Sequence, residues 1–294
     1  METNVIAIWR LDAERIGMLP HKLRSSRGGA PLRLAAQTLA GLLVLPVAPT
    51  MADSIRLSPS ETQRIGRKVW QNECQGTVAG LTSWNPGEDF ASLGIGHFIW
   101  YPKGVQGPFD ESFPRFVGFA ENHQAKFPKG INLKGACPWN SRGEFERASQ
   151  SPTMKELRQF LASTVDLQAK FLVSRLVDSL PRILDAAEPS KRNQVQQRFA
   201  QLAKSPTGCY ALVDYVNFKG EGVLATERYA GQGWGLLQVL EGMSQETTDR
   251  NPVKSFSESA KRVLSVRVRN APAGRNEARW LPGWIRRVNT YSQD

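Results

Sequence analysis

The sequence predicts an α+β fold, predominantly helical, with a small β-hairpin lobe ahead of a larger helical lobe. Three observations lead there. Apolar residues recur at steps of three and four through most of the second half, the period of helices that bury one face. A glycine-spaced run over residues 93–101 reads as a short extended strand, with glycine where another group comes close to the backbone. Proline, glycine and asparagine separate the periodic stretches as start and stop signals.

The first element is a targeting segment. Lys22, Arg24, Arg27 and Arg33 precede an apolar run over residues 34–47, and Thr50-Met51-Ala52 offers a cleavage site before Asp53, the layout of an export signal. The apolar run is short and contains Pro46, which argues against a stable membrane span. Translation is expected to start at Met18. Residues 53–294 then form a single domain, periplasmic or secreted, with an insertion around residues 102–152.

Within that domain, Ser58 and Ser60 offer caps for a helix over residues 61–72, where Ile65, Val69 and Trp70 share a face. Glu73 falls at its C-terminal end. Residues 102–152 are rich in Pro, Gly and Phe with weak periodicity, so they read as irregular, with a short helix over 144–148, folded over the site. Leu157, Leu161, Val165, Phe171, Leu172, Leu176 and Leu180 predict one long helix over 153–180, stopped or kinked by Pro181. Helices follow over 190–204 and 208–218, the latter apolar nearly all round and so expected at the centre of the helical lobe. Three more are expected over 235–243, 257–269 and 282–290.

Removing residues 1–52 takes six Lys/Arg and three Asp/Glu from the 38 and 27 of the whole chain and leaves a net charge of about +8. An exported basic protein meets acidic partners; an anionic cell-wall surface is expected and nucleic acid is not. Cys74, Cys137 and Cys209 in an oxidising compartment allow one disulfide and one thiol. The three histidines, His21, His97 and His123, and the lack of a Cys-x-x-Cys pair speak against a metal site. No cofactor is expected.

The chemistry centres on Glu73, followed about two dozen residues later by Ser92, Leu93, Gly94, Ile95, Gly96 and His97. This arrangement resembles the N-terminal site of phage-type lysozymes, where a helix carrying the acid glutamate leads into a hairpin reading roughly T-I-G-I-G-H. Two later segments are similar to that family in the same order: Ala211-Leu212 with Asn217, and Gly283-Trp284-Ile285-Arg286-Arg287. The resemblance implies a lysozyme-like fold and cleavage of the β-1,4 glycan strands of peptidoglycan, with Glu73 as general acid. Apolar surroundings disfavour the charged form of a carboxyl group, and Trp70, Phe98 and Trp100 are expected to supply them around Glu73. Glu88 and Asp89 are the acids available as a second catalytic group, with Ser92 at the family's threonine position as a water-positioning hydroxyl. The resemblance implies that His97 supports the site by hydrogen bonding.

Flat rings stack on sugars, so one or two of Trp84, Trp100, Tyr101 and Trp139 are expected to touch glycan. A rival motif, Gly235-Leu236-Leu237-Gln238 preceded by Glu221 and Glu227, is similar to soluble lytic transglycosylases, and Glu221 or Gln238 is expected to line the cleft from the helical lobe. Chitosanases share the broad architecture, but a basic protein would repel their cationic polymer. Two alternatives stay open: a lytic transglycosylase using Glu73 alone, and a non-catalytic wall-binding protein of the same fold.

Overall fold

The computed structural model describes residues 55–293; the targeting segment and the start at Met18 lie outside the described residues. Helix α1 (Pro59–Cys74) opens on a reciprocal cap. The Glu61 amide donates to Ser58 Oγ at 3.3 Å and the Ser58 amide donates to Glu61 Oε2 at 2.7 Å, which satisfies two of the amides a helix start leaves unpaired. The helix ends two residues later than expected, with Gln75 in the left-handed region, so Glu73 lies in its last turn.

Strands β1 (Thr82–Ser83), β2 (Ala91–Leu93) and β3 (Phe98–Trp100) form an antiparallel sheet in that order. Ser92 pairs with Ile99 and Leu93 with Phe98. The single strand expected over 93–101 is therefore a hairpin that folds back at Gly94–His97. Two glycines make the turn possible. A Cβ on Gly94 would lie 2.2 Å from Gln168 Oε1, and one on Gly96 would lie 2.3 Å from the Phe98 ring.

Residues 102–152 are more regular than their composition suggests. They contain α2 (Phe113–Asn122), which was not expected, and α3 (Arg142–Arg147), which was. Phe113, Phe116, Val117 and Ala120 make the buried face of α2. That helix packs on β3 and on α5 (Val165–Ala186), so the segment builds a wall of the core beside the hairpin.

The long helix expected over 153–180 is two helices, α4 (Pro152–Ser163) and α5, broken at Thr164. The Thr164 hydroxyl donates to the Phe160 carbonyl at 2.7 Å, and Gln168 Nε2 donates to the Leu161 carbonyl at 2.6 Å. Side chains thus take up carbonyls freed by the break. Pro181 does not stop α5, which continues to Ala186 although proline has no amide to offer the Val177 carbonyl.

Helices α6 (Arg192–Ala203) and α7 (Pro206–Lys219) follow as expected, α7 opening on Ser205, whose Oγ accepts from the Gly208 amide at 3.0 Å. Its burial on almost every side puts it at the centre of the helical lobe, against α1, α5, α6 and α10. A two-stranded hairpin, β4 (Arg228–Tyr229) and β5 (Gln232–Gly233), precedes α8 (Leu236–Gly242), α9 (Gln245–Arg250), α10 (Pro252–Asn270) and α11 (Leu281–Asn289). The β4–β5 hairpin and α9 were not expected. One connected core runs through both lobes, and among the described residues no helix is long and apolar enough to cross a membrane.

Candidate active site

Glu73 stands where α1, the β2–β3 turn, α7 and α11 converge. Its Oε1 accepts from Asn217 Nδ2 on α7 at 3.0 Å and from Arg287 Nη2 on α11 at 2.5 Å. His97 Nε2, in the turn, lies 3.2 Å from the Glu73 carbonyl oxygen and 3.9 Å from Glu73 Oε2. The hydrogen-bond partners of Glu73 are polar side chains, whereas the ring contacts and hydrogen bonds of Trp70, Phe98 and Trp100 are with other residues. Phe98 stacks on Phe116, Trp100 tilts against Phe113, and the Trp70 indole donates to the Thr77 carbonyl.

Arg287 serves a second carboxylate. Its Nε donates to Asp214 Oδ2 and its Nη2 to Asp214 Oδ1, both at 2.8 Å. Tyr291 donates to Asp214 Oδ2 at 2.7 Å, and Asn72 Nδ2 lies 3.1 Å from Asp214 Oδ1 and 2.7 Å from the Tyr210 hydroxyl. Burial works against the charge of Arg287, but Asp214 and Glu73 outweigh it and hold the guanidinium protonated well above the usual arginine range. Burial, helped by Asp214, likewise pushes the Tyr291 phenol up. One cation thus stands between two buried carboxyl groups.

The hairpin turn that brings His97 to Glu73 is held by the break between α4 and α5. Gln168, fully buried, accepts the Ile95 amide at 2.8 Å through Oε1. That bond explains why Gly94 has no side chain: the amide oxygen of Gln168 occupies the place. Sequence patterns do not single out Gln168, because it sits on a helix face like any other polar residue.

The other candidates separate from this centre. Glu88 is buried in the β1–β2 connection and accepts from Asn85 Nδ2 at 3.0 Å, while Asp89 beside it is exposed. Ser92 is buried on β2. Glu221 pairs with Arg182 on the surface, and Gln238 in the first turn of α8 accepts from the Gly235 amide and donates to the Gly222 carbonyl. Neither touches Glu73.

The four aromatic candidates for sugar stacking are core residues. Trp84, Trp100, Tyr101 and Trp139 are all at most 7% exposed. Trp84 and Trp139 pack on Phe145, Trp100 meets Trp139 edge-on, and Tyr101 packs on Phe90. The sheet is so small that these rings must supply its core, which leaves none of them as a platform for glycan.

The one disulfide that three cysteines would allow is not formed: Cys74, Cys137 and Cys209 are free and buried. The Cys74 sulfur lies 3.7 Å from the Gly94 carbonyl oxygen and 3.9 Å from His97 Nε2, and so packs under the candidate site. Among the described residues no group of three or more His, Cys, Asp or Glu could hold a metal ion. Comparisons with protein-family models, with curated proteins and with solved structures find no match to this chain.

Proposed function

We propose that this protein cleaves the β-1,4 glycan strands of peptidoglycan, with Glu73 delivering the proton to the leaving oxygen. The observation that supports this is the meeting of Glu73 with His97, Asn217 and Arg287. All four belong to the segments whose order resembles phage-type lysozymes. A proton donor must carry its proton when substrate binds and be able to lose it as the bond breaks. Glu73 and Asp214 set two carboxyls against the one guanidinium of Arg287. The basic charge of the domain would hold it on an anionic wall, an attraction that weakens with added salt.

Two observations bear on the variant of the reaction. Glu88 is tied to Asn85 and Asp89 faces solvent, and neither pairs with Glu73, which favours chemistry by one glutamate with anhydro-sugar ends over a two-carboxylate hydrolysis. The Glu73 side chain is only 2% exposed, which favours the competing reading of a wall-binding protein without catalysis. Mass spectrometry of purified peptidoglycan, incubated with the protein and with its Glu73→Gln variant, decides among the three. Fragments from the wild type alone support cleavage, and their ends, reducing or anhydro, name the reaction. Binding without fragments sinks catalysis and leaves the binding protein.

A further inference from the structure

We propose that Asp214 is a positioning residue for Glu73: by holding Arg287 from the opposite side it lets Glu73 keep the proton that the glycan-cleaving reading above requires. The inference rests on that reading for its purpose and on geometry for its content. A carboxyl group facing a guanidinium alone is drawn to its ionised form, the wrong state for a proton donor. Here Asp214 takes both Arg287 Nε and a bond from Nη2, and Glu73 receives only the remaining contact from Nη2. Asp214 is fully buried, so water does not screen its hold on Arg287.

The hold is itself braced. Tyr291 donates to one Asp214 oxygen and Asn72, the neighbour of Glu73 on α1, to the other. Asp214 therefore ties α1, α7 and the C-terminal turn around one cation. The ionisable groups around Glu73 are Cys74 on its own helix, His97 in the hairpin turn, Asp214 and Lys219 on α7, Arg287 on α11 and Tyr291 beyond it. Of these, Asp214 alone is an acid bonded to the same guanidinium nitrogen as Glu73.

The test is an NMR titration of the Glu73 carboxyl carbon in the full chain labelled with ¹³C-glutamate, its signal assigned with Glu73→Gln. In Asp214→Asn, which keeps the shape and removes the charge, Glu73 should lose its proton about one pH unit or more lower than in the wild type. Asp214→Glu, which restores the charge, should return the midpoint. Tyr291→Phe should move it the same way as Asp214→Asn, because an Asp214 carboxylate with one donor fewer is less stable and takes up the proton that Glu73 would otherwise keep. A merely structural Asp214 would lower stability and leave the Glu73 midpoint in place. An unmoved midpoint in folded Asp214→Asn overturns the proposal. Should that variant not fold, an unmoved or raised midpoint in Tyr291→Phe does so. If the midpoints move as stated but the wild type releases no glycan fragments, glycan cleavage fails and the sharing of Arg287 stands.

Discussion

Glu73 and Arg287 lie 214 residues apart in the chain and meet in a buried contact between carboxyl and guanidinium in the fold. The contact exists because α7 packs against α1 on one side and the C-terminal turn on the other, which closes the last helix onto the first.

Replacing Arg287 with methionine leaves Glu73 and Asp214 buried with no cation between them. The expected loss is about 3–5 kcal/mol of stability at pH 7, the range for removing one partner of a buried pair. Urea unfolding of the two proteins checks this, and a loss well under that range would show that packing, not charge, is what Arg287 supplies.

The hairpin turn offers a second prediction. Gly94→Ala puts a methyl into Gln168 Oε1 at a backbone φ of +69°, and should cost roughly 1–3 kcal/mol. Gln168→Leu leaves the buried Ile95 amide without its acceptor and should cost about as much, about 1–3 kcal/mol. Hydrogen exchange at Ile95 should quicken in the second variant well beyond that of the neighbouring strands. Unchanged protection there would remove Gln168 as the support of the turn.

Thiol chemistry gives a third. Burial pushes the Cys209 thiol up to about 11 and the Cys137 thiol up to about 12, and raises Cys74 further still. All three are inert in the folded state by the rule that thiolate, not thiol, reacts. A thiol reagent at pH 8 should modify none of them in the native protein and all three in denaturant, and a reducing agent should leave the melting temperature alone. A native protein that reacts at two fewer thiols in denaturant would mean a disulfide.

Lys219 supplies the pH dependence. Its ammonium nitrogen lies 3.5 Å from the Trp284 ring centre and 4.0 Å from that of Phe218. The rings favour the cation, but burial, aided by Arg267, outweighs them and pushes the amine well below its ordinary 10.5. Between that lowered value and 10.5 the unfolded chain binds a proton that the folded chain does not, so stability rises with pH across the window. Lys219→Met should be more stable than the wild type at pH 7 and should lose this rise. Chemical denaturation at pH 7 and pH 10 reads it directly, and parallel changes in the two proteins would count against a neutral Lys219.

Much of the helical lobe is legible in the residues. Ser205-Pro206 starts α7 and Asn251-Pro252 starts α10, because a side-chain acceptor and a fixed φ act within one turn. The segments holding Glu73, Gly94–His97, Asn217 and Arg287 are equally visible, as spaced patterns. Other elements are hidden for physical reasons. The periodicity of residues 153–180 does not show the break at Thr164, since the apolar stripe continues across it and only the hydrogen bonds of Gln168 and Thr164 mark the change. Helix α2 is hidden by its aromatic content, which has poor helix propensity and forms a helix because Phe113 and Phe116 have the hairpin to pack against.

Short-range forces along the chain fix where helices cap, where glycine must stand, and which carboxyl sits at the end of α1. Tertiary structure decided the rest. It buried Trp84, Trp100, Tyr101 and Trp139 in a core that a three-stranded sheet could not otherwise fill, and it kept the three cysteines apart. It also brought Asp214 to Arg287, a pairing with no periodic or motif signature. Caps and turns are settled by forces that reach a few residues along the chain, whereas a buried charge is compensated by whichever partner the packing delivers.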